Sequence, residues 1–323
     1  MQLDTIKSLV IDDFVAVDQL ISSNLHSEVS LINDVVSHLN SANGKRIRPL
    51  VVLLCAQIWG YQGHDQHKLA AIIEFIHTAT LLHDDVIDES TLRRGQPTAN
   101  ATWGNSTAVL VGDFLYSRTF QLMVSLGNMQ IMQILADASN IISQGEVMQL
   151  ANTRNLQLSQ EQYLKIIQYK TATLFEAAGN ATALLTAGNQ NQAANLAKYG
   201  LHLGMAFQLV DDILDYNGKT AGLLGKNIGD DLAEGKLTLP LIHTLEHGNS
   251  HAKELISAAI NSRDNIHLTE IIKLVNDSGA IAATKELAQA HVTKAIAALD
   301  GFANNSYLEA AVELARFTIQ RIY

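Results

Sequence analysis

The sequence predicts an all-α protein, and three observations carry that prediction. Only three prolines occur among 323 residues, at Pro49, Pro97 and Pro240, so long stretches of the chain are free to be helical. Within those stretches apolar residues recur every three or four positions, as in residues 69–85 and 196–216. Runs that alternate apolar with polar residues are few, so strand signals are weak.

No composition shift or low-complexity linker divides the chain, so we expect one domain over residues 1–323, built of about ten or more helices. The apolar share of 47% is enough for a large core. The formal net charge of -10 argues against a general nucleic-acid binder, which usually carries a basic excess. A protein with this net charge can still contain a local basic cluster that binds a small anion.

We identify no targeting signal in the amino-acid sequence. The single cysteine, Cys55, lies in the apolar stretch LVVLLCA and is expected to be a core residue. One cysteine cannot form a disulfide within the chain, which favours a reducing compartment. We see no secretory signal and no stretch of 18 uncharged apolar residues. These patterns predict a soluble, cytoplasmic protein.

Each proline stands in a charged stretch that also contains glycine. These stretches are GKRIRP at 44–49, RRGQP at 93–97 and GDDLAEGKLTLP at 229–240. Helices are expected to stop at all three. Because loops held by a rigid scaffold often carry function, these stretches are candidate functional segments.

Two acidic motifs of the form D-D-x-x-D follow strongly apolar runs. Their members are Asp84, Asp85, Asp88, Asp211, Asp212 and Asp215. On a helix, residues four apart share a face, so the first and last acid of each motif project together. Like charges this close repel unless a cation compensates, and Mg²⁺ suits carboxylates that leave room for water and phosphate oxygens. The spacing therefore predicts Mg²⁺ at Asp84 with Asp88, and at Asp211 with Asp215.

A solvated helix face is the alternative for either motif alone. Two copies favour the metal, because a buried helix that ends in three acids is costly without a partner. Other motifs do not fit: DILDYNGK lacks the spacing of a calcium loop, and GLLGKN lacks residues of a phosphate loop. The histidines are too scattered for a zinc site.

Basic residues stand beside both acidic motifs. They are Lys45, Arg46 and Arg48 after Gly44, then Arg93 and Arg94, Lys170 before Thr171, and finally Lys226 and Lys236. Lys45 and Arg48 are three residues apart and are expected to share one face of a helical turn. A plain surface charge is the alternative for each of these residues. Their clustering beside the acids favours phosphate binding by the Arg fork and the Lys point charge.

Two separate basic groups predict two phosphate sites. One would be metal-bound, with Arg93, Lys170 and the later lysines around it. The other would be metal-free, at Lys45, Arg48 and Arg94. This arrangement suits the joining of two diphosphate esters, in which the metal-bound diphosphate leaves and the metal-free one anchors the nucleophile.

With these residues the chain resembles the all-trans polyprenyl diphosphate synthases. LLHDDVIDESTLRRG and FQLVDDILDY are similar to the two aspartate-rich motifs of that family, and GKRIRP to its homoallylic diphosphate site. Lys170 with Thr171, Gln208, and GKNIGDDLAEGKLTLP are similar to its later signatures. The stretches EFIHTATLLHDDV and VLVGDF look most similar to bacterial octaprenyl members, which make the ubiquinone side chain.

The resemblance implies an isoprenoid synthase fold around a central cavity, a homodimer, and Mg²⁺ as cofactor. It implies that an allylic diphosphate, usually farnesyl diphosphate, ionises and is attacked by isopentenyl diphosphate, which then loses a proton. The implied catalytic residues are Asp84, Asp85, Asp88, Lys170, Asp211 and Asp212. The implied isopentenyl diphosphate ligands are Lys45, Arg48, His77 and Arg94. The implied allylic diphosphate ligands are Arg93, Lys170, Thr171, Gln208, Lys226 and Lys236, with Mg²⁺ on Asp84, Asp88 and Asp211.

Product length is expected to depend on residues before the first motif. Ala79 and Thr80, about one turn before Asp84, are small, and in the family large side chains there give short products. The tunnel should therefore stay open, with Met123 and Leu135 as candidates for its floor. Plain core packing is the alternative for both of these residues.

Several alternatives stay open at this point. His77 alone would more often be a core histidine, although it lies two helical turns before Asp84 on nearly the same face. A product of seven or nine units, a terpene cyclase, a non-catalytic partner subunit and a helical structural protein are the rival interpretations. A membrane surface is a candidate partner for release of the lipophilic product.

Overall fold

The computed structural model describes residues 2–41, 44–186, 190–216, 229–262 and 267–322. Within those ranges every regular element is helical except one short hairpin, so the all-α prediction is confirmed. The hairpin pairs β1 (Leu92–Arg93) with β2 (Gln96–Pro97), and a π-helical segment occupies Gln168–Ala172. The helices are α1 (Leu3–Ser8), α2 (Ile11–Leu25), α3 (Ser30–Ser41), α4 (Ile47–Ile58), α5 (Asp65–Ile87), α6 (Ala99–Trp103), α7 (Asn105–Ser125), α8 (Met129–Ala151), α9 (Gln160–Ile167), α10 (Thr173–Leu185), α11 (Gln190–Leu214), α12 (Asp230–Ala233), α13 (Leu239–His247), α14 (Ser250–Ser262), α15 (Leu268–Asp277), α16 (Ala280–Ala297) and α17 (Ser306–Gln320).

Two compact units make up the chain, and each is interrupted in sequence. Unit 1 comprises Met1–Ser139, Leu174–Gly200 and Ala298–Leu314. Unit 2 comprises Asn140–Thr173, Leu201–Ala297 and Ala315–Tyr323. The single domain expected over the whole length stays a prediction. Among the described helices, none combines the length and the hydropathy that a membrane span requires.

The core of unit 1 is built around α4, which is buried on all sides. Residues 50–56, LVVLLCA, have no exposed surface. A helix that is apolar all round is stable only when other helices cover it, and α5 packs against it, as well as against α2 and α7. Cys55 belongs to this core as predicted, and burial raises the pKa of its thiol to about 12. In unit 2, α13 packs against α9, α14, α15 and α16.

Helices end before or within all three proline-containing stretches, as expected, and two of the prolines lie where the next helix begins. Pro49 and Pro240 lie in the first turns of α4 and α13, and Pro97 lies in β2. The first turn tolerates proline because its N–H groups have no partner within the helix. The expectation that Lys45 and Arg48 share a helical turn is wrong. Arg46 has a left-handed backbone (φ 48°), so α4 begins only at Ile47.

Glycine lets α10 and α11 approach backbone to backbone within unit 1. A Cβ at Gly179 would lie 2.1 Å from the carbonyl oxygen of Leu196, and one at Gly200 would lie 2.0 Å from that of Phe175. Both separations are far below van der Waals contact. The two glycines therefore set the spacing of this helix pair.

We expect Gly200→Ala to lower the free energy of unfolding, because the carbonyl of Phe175 belongs to a helix backbone that cannot yield locally. Overpacking of about 1–3 kcal/mol outweighs the helix propensity of up to about 1 kcal/mol that alanine gains over glycine. Gly112→Ala is the matched control, since its Cβ would meet only the His83 imidazole, at 2.3 Å, and a side chain can rotate away. Urea unfolding followed by circular dichroism measures both. Equal decreases in the free energy of unfolding for the two variants would contradict the backbone argument.

Candidate active site

The first aspartate motif lies at the carboxyl end of α5. Asp84 and Asp85 are in the last turn, Asp88 is the residue that ends the helix, and the last turn contains no basic residue. The N–H of Asp88 donates to the carbonyl of Asp84 (2.8 Å), so the helical spacing continues through the motif. Asp84 and Asp88 therefore share a face. Their charges stand at the negative end of the helix dipole, where a nearby cation is stabilising.

Asp85 faces away from that pair and is held by the hairpin. Arg93 donates from Nε and Nη2 to Asp85 Oδ1, at 2.9 and 2.7 Å. Asn100 Nδ2 donates to the carbonyls of Asp85 (3.1 Å) and Ser90 (3.0 Å). Burial raises the pKa of the Asp85 carboxyl, although the Arg93 guanidinium acts in the opposite direction. Asp85 thus ties α5 to the hairpin.

The hairpin turn presents Arg94 toward the segment before α4. Arg94 (φ 54°) and Gly95 (φ 76°) both have left-handed backbones, the combination that a tight two-residue hairpin turn requires. A Cβ at Gly44 would lie 2.5 Å from Arg94 Nη1, so glycine here lets the guanidinium lie directly against the backbone. Lys45 lies exposed beside it, and Arg46 forms an ion pair with Asp18.

Arg48 is oriented by two neighbours in unit 1. Its Nη1 lies 3.1 Å from Nε2 of His77, and its guanidinium carbon lies 4.5 Å from the ring centroid of Phe175. Burial, followed by the charges of Arg48, Arg94 and Arg93, holds the pKa of His77 well below its ordinary value. His77 is therefore a neutral imidazole that accepts from Arg48.

Glu74 is a member of this cluster that sequence reasoning missed. Burial raises the pKa of its carboxyl, while the charges of Arg46, Arg48 and Arg94 act to lower it. The carboxylate therefore lies within electrostatic reach of the arginines. Its position three residues before His77, about one helical turn, was the available signal.

The second motif lies at the carboxyl end of α11, in unit 2. The last turn of α11 contains no basic residue, and the N–H of Asp215 donates to the carbonyl of Asp211 (3.2 Å). Arg321 Nη2 donates to Asp211 Oδ1 (2.7 Å), and its guanidinium carbon lies 4.5 Å from the ring centroid of Phe207. Sequence reasoning missed Arg321, because 110 residues separate it from Asp211 and no local pattern links them.

Asp212 points into the protein, and both of its oxygens accept hydrogen bonds there. Gln208 Nε2 donates to Oδ1 (3.0 Å), and the hydroxyl of Tyr163 donates to Oδ2. Thr171 Oγ1 in turn donates to Gln208 Oε1 (2.9 Å). Asp212 is only 1% exposed, so its carboxylate supports neighbouring side chains rather than the outer face of the motif.

Lys170 and Thr171 lie in the π-helical segment, a rare conformation that is frequent at functional sites. Lys170 Nζ donates to Glu146 Oε2 on α8 (2.6 Å). Gly145 permits this approach, since a Cβ there would lie 2.6 Å from the backbone nitrogen of Lys170. Lys236 forms a similar pair with Glu234 (2.7 Å). The predicted ligand Lys226 lies outside the described residues.

The donor set fits a hard divalent cation that is completed by other ligands. Among the described residues, no three His, Cys, Asp or Glu side chains gather into a ready-made metal site. What each helix end offers is a pair of carboxylates one turn apart. Mg²⁺ is commonly held by one or two carboxylates, with water and substrate phosphate oxygens as the remaining ligands.

The residues expected to set product length are buried in unit 1. Ala79 has no exposed surface, and Thr80 is half-buried with its hydroxyl donating to the carbonyl of His77 (2.8 Å). Met123 is buried on α7, the helix that packs along α5. Leu135 is buried on α8. Their role in product length stays a prediction.

The fold that carries these helix ends and basic clusters is shared with a class of helical synthases, and several members of that class have solved structures. A polyprenyl synthase from Caulobacter crescentus CB15, solved with calcium and isoprenyl diphosphate, superposes with a TM-score of 0.95 at 45% identity, covering 98% of this chain and 97% of that one. The polyprenyl synthetase family model matches residues 29–277. The chain belongs to the polyprenyl synthetase family.

Curated relatives agree over the full length. The octaprenyl diphosphate synthase of Escherichia coli K12 is 44% identical over 322 residues, covering 99% of both chains. An all-trans-nonaprenyl-diphosphate synthase (geranyl-diphosphate specific) of Rhodobacter capsulatus is 45% identical over 315 residues, covering 97% of this chain and 96% of the relative. The resemblance drawn from the motifs is therefore confirmed, together with the expectation of a prenyltransferase.

We expect Glu146→Gln to lower the melting temperature by a few degrees, because it removes a carboxylate from a largely buried ammonium group. The cost is about 1–3 kcal/mol for a pair whose side chains are 19% and 20% exposed. Mg²⁺ with inorganic diphosphate should restore part of the loss, since the anion replaces the carboxylate at Lys170.

Asp65→Asn is the control, because the Asp65–Lys68 pair is more exposed (42% and 35%) and is worth less than about 0.5 kcal/mol. Thermal melts with and without the anion measure both variants. If diphosphate stabilises Glu146→Gln no more than the unaltered protein, Lys170 does not bind the anion.

Proposed function

We propose that this protein is a Mg²⁺-dependent, long-chain all-trans polyprenyl diphosphate synthase. It condenses isopentenyl diphosphate onto an allylic diphosphate, with farnesyl diphosphate as primer and octaprenyl diphosphate as product. The product serves as the side chain of ubiquinone. The observation that carries the proposal is the pairing of carboxylates at the carboxyl ends of α5 and α11, in a chain that also carries an arginine cluster.

The arginine cluster of unit 1 binds the diphosphate of isopentenyl diphosphate. Arg48 and Arg94 supply planar forks, and Lys45 supplies a point charge. His77 stays neutral and accepts from Arg48 Nη1 (3.1 Å), so its contribution is to aim the guanidinium rather than to add charge. The guanidinium of Arg48 also lies over the ring of Phe175, a contact that limits its rotation. The nucleophilic double bond is thereby held in one orientation.

The allylic diphosphate is the leaving group. Asp84 with Asp88, and Asp211 with Asp215, are the carboxylates that would hold Mg²⁺. When bound, Mg²⁺ supplies positive charge that stabilises the diphosphate as the C–O bond breaks. Arg93, Lys170 and Lys236 add fixed positive charge. Each already forms an ion pair with a protein carboxylate, so each is ordered before substrate arrives.

The deciding experiment is a product assay with the purified protein. Labelled isopentenyl diphosphate, farnesyl diphosphate and Mg²⁺ are incubated, and the dephosphorylated alcohols are separated by length. We expect one eight-unit all-trans product that is lost with EDTA. A seven- or nine-unit product would correct the length only. A cyclic hydrocarbon, or no condensation, would reject the proposal.

We expect Asp84→Asn and Asp211→Asn each to lower the turnover rate by at least about 100-fold, because each removes a charge that would hold the cation. Asp137→Asn is the control, since Asp137 is an exposed acid on α8 that accepts only from Gln133 (2.8 Å). Initial rates at saturating Mg²⁺ measure all three. An Asp84→Asn variant with full activity would show that the first motif does not hold the metal.

We expect Ala79→Phe to shorten the product, since Ala79 is buried one turn before the first motif and a phenyl ring there would block a growing chain. Ala70→Phe controls for overpacking, because nine residues place Ala70 on the opposite face of α5 and it is equally buried. Chromatography of the alcohols gives the length. A full-length product from Ala79→Phe would place the tunnel elsewhere.

We also propose that the protein acts in the cytoplasm as a homodimer formed through α7. It would contact the membrane surface only to release its product. Val109, Leu110, Phe120 and Val124 are 37%, 66%, 47% and 64% exposed and span about 100° of the helix circumference. An apolar stripe of this kind typically marks a protein interface.

We expect Phe120→Asp combined with Val124→Asp to give monomers, because burying two carboxylates in an apolar interface is costly. Size-exclusion chromatography with light scattering measures the mass. Ile11→Asp, at a residue 54% exposed on α2, is the control that should stay dimeric. A double variant that stays dimeric would exclude this face of α7 as the interface.

A further inference from the structure

Tyr163 is a buried tyrosine whose hydroxyl donates to a member of the second aspartate motif. Only 4% of the residue is exposed, and the hydroxyl donates to Asp212 Oδ2. Its helix α9 starts at a capping box: Gln162 N donates to Ser159 Oγ (3.2 Å), and Ser159 N donates to Gln162 Oε1 (3.1 Å). The backbone next to Tyr163 is therefore fixed at the helix start.

Tyr163, Asp212, Gln208 and Thr171 form a chain of hydrogen bonds in which the donor and the acceptor are defined at each step. The hydroxyl of Tyr163 donates to Oδ2, and Gln208 donates to Oδ1 through its NH₂ group. That choice leaves the amide oxygen of Gln208 to accept from Thr171 Oγ1 (2.9 Å). The chain Tyr163–Asp212–Gln208–Thr171 has a single consistent arrangement of donors and acceptors, and all of it lies within unit 2.

Removing the Tyr163 hydroxyl would remove the hydrogen bond to Asp212, at one end of this chain. Asp212 is 1% exposed, so no bulk water is available to replace the lost donor. The carboxylate could then rotate to accept other hydrogen bonds, and the amide of Gln208 and the hydroxyl of Thr171 would lose their defined directions. A small error in the direction of groups that contact a reacting substrate lowers rate more than it lowers binding.

We propose that Tyr163 is a positioning residue for catalysis, which acts through Asp212 to orient Gln208 and Thr171 toward the allylic substrate. This inference rests on the proposed function, in which Gln208 and Thr171 contact that substrate. Tyr163 itself touches neither substrate nor metal. The competing explanation is that Tyr163 only fills the core beside α11.

The variant Tyr163→Phe tests the inference, because it removes one oxygen and keeps the ring. We expect kcat to fall by about 10- to 100-fold, as supporting hydrogen bonds of this kind typically do, with an unchanged KM for isopentenyl diphosphate. Tyr199→Phe is the matched control. Tyr199 is equally buried in unit 1, and its hydroxyl donates to the carbonyl of Ala311 (2.8 Å). It should lower the melting temperature without lowering kcat.

A double-mutant cycle separates positioning from packing. Tyr163 donates to Asp212 and Thr171 donates to Gln208, so hydrogen bonds link the two residues through Asp212 and Gln208. If the link carries the effect, Tyr163→Phe should lower kcat much less in a Thr171→Val background than in the unaltered protein. Multiplicative losses, or a Tyr163→Phe variant that lowers the melting temperature but keeps full kcat, would overturn the inference.

A measurement that does not depend on activity tests the inference separately from the proposed function. In protein labelled with ¹⁵N-glutamine, the side-chain amide signal of Gln208 is identified by its loss in Gln208→Leu. Tyr163→Phe should shift that signal, and Tyr199→Phe should not. If Tyr163→Phe does not fold, Asp212→Asn tests the Asp212–Gln208 part of the chain, because the amide keeps one acceptor oxygen and replaces the other with a donor, and it should shift the same signal. An unmoved Gln208 signal would overturn the inference, whereas a shifted signal in an inactive protein would reject only the proposed function.

Discussion

Negative charge at the carboxyl ends of α5 and α11 is the constraint on which both proposed metal sites depend. Helix carbonyls already make these ends negative, and each carries two carboxylates that share a face. Nearly every other helix in a protein would be more stable with a lysine there. Arg321 donates to Asp211 within unit 2, and we propose that a divalent cation supplies further positive charge at each helix end. Paired carboxylates that leave coordination positions for phosphate oxygens meet that requirement.

Two of the predicted diphosphate ligands, one in each unit, are already paired with protein carboxylates. Arg93 contacts Asp85 (2.7 Å), and Lys170 contacts Glu146 (2.6 Å). These pairs hold long side chains in place before any anion binds, which reduces the ordering entropy that binding would otherwise cost. They also explain how a protein with a formal net charge of -10 can present local basic clusters. The opposing effect is that a bound diphosphate must compete with these carboxylates.

Glycine supports this arrangement at two places. Gly44 leaves space for the guanidinium of Arg94, and Gly145 lets α8 approach the π-helical segment that carries Lys170. In each case a Cβ would lie about as close as a hydrogen-bonded atom, without being able to bond. Gly145 lies within α8, where glycine costs up to about 1 kcal/mol relative to alanine, and that cost permits the approach to the backbone of Lys170.

Local patterns in the sequence determined the α-helical class, the position of both aspartate motifs near helix ends and the pairing of Asp84 with Asp88. These follow from a helical period of 3.6 residues, which is a property of neighbouring residues. Where a left-handed residue intervened, as at Arg46, the local pattern misled. Only the tertiary structure decided that Arg321 contacts Asp211 and that Tyr163 contacts Asp212, since those contacts join segments 110 and 49 residues apart. Such partners depend on how several helices pack, and no periodicity within one helix encodes that.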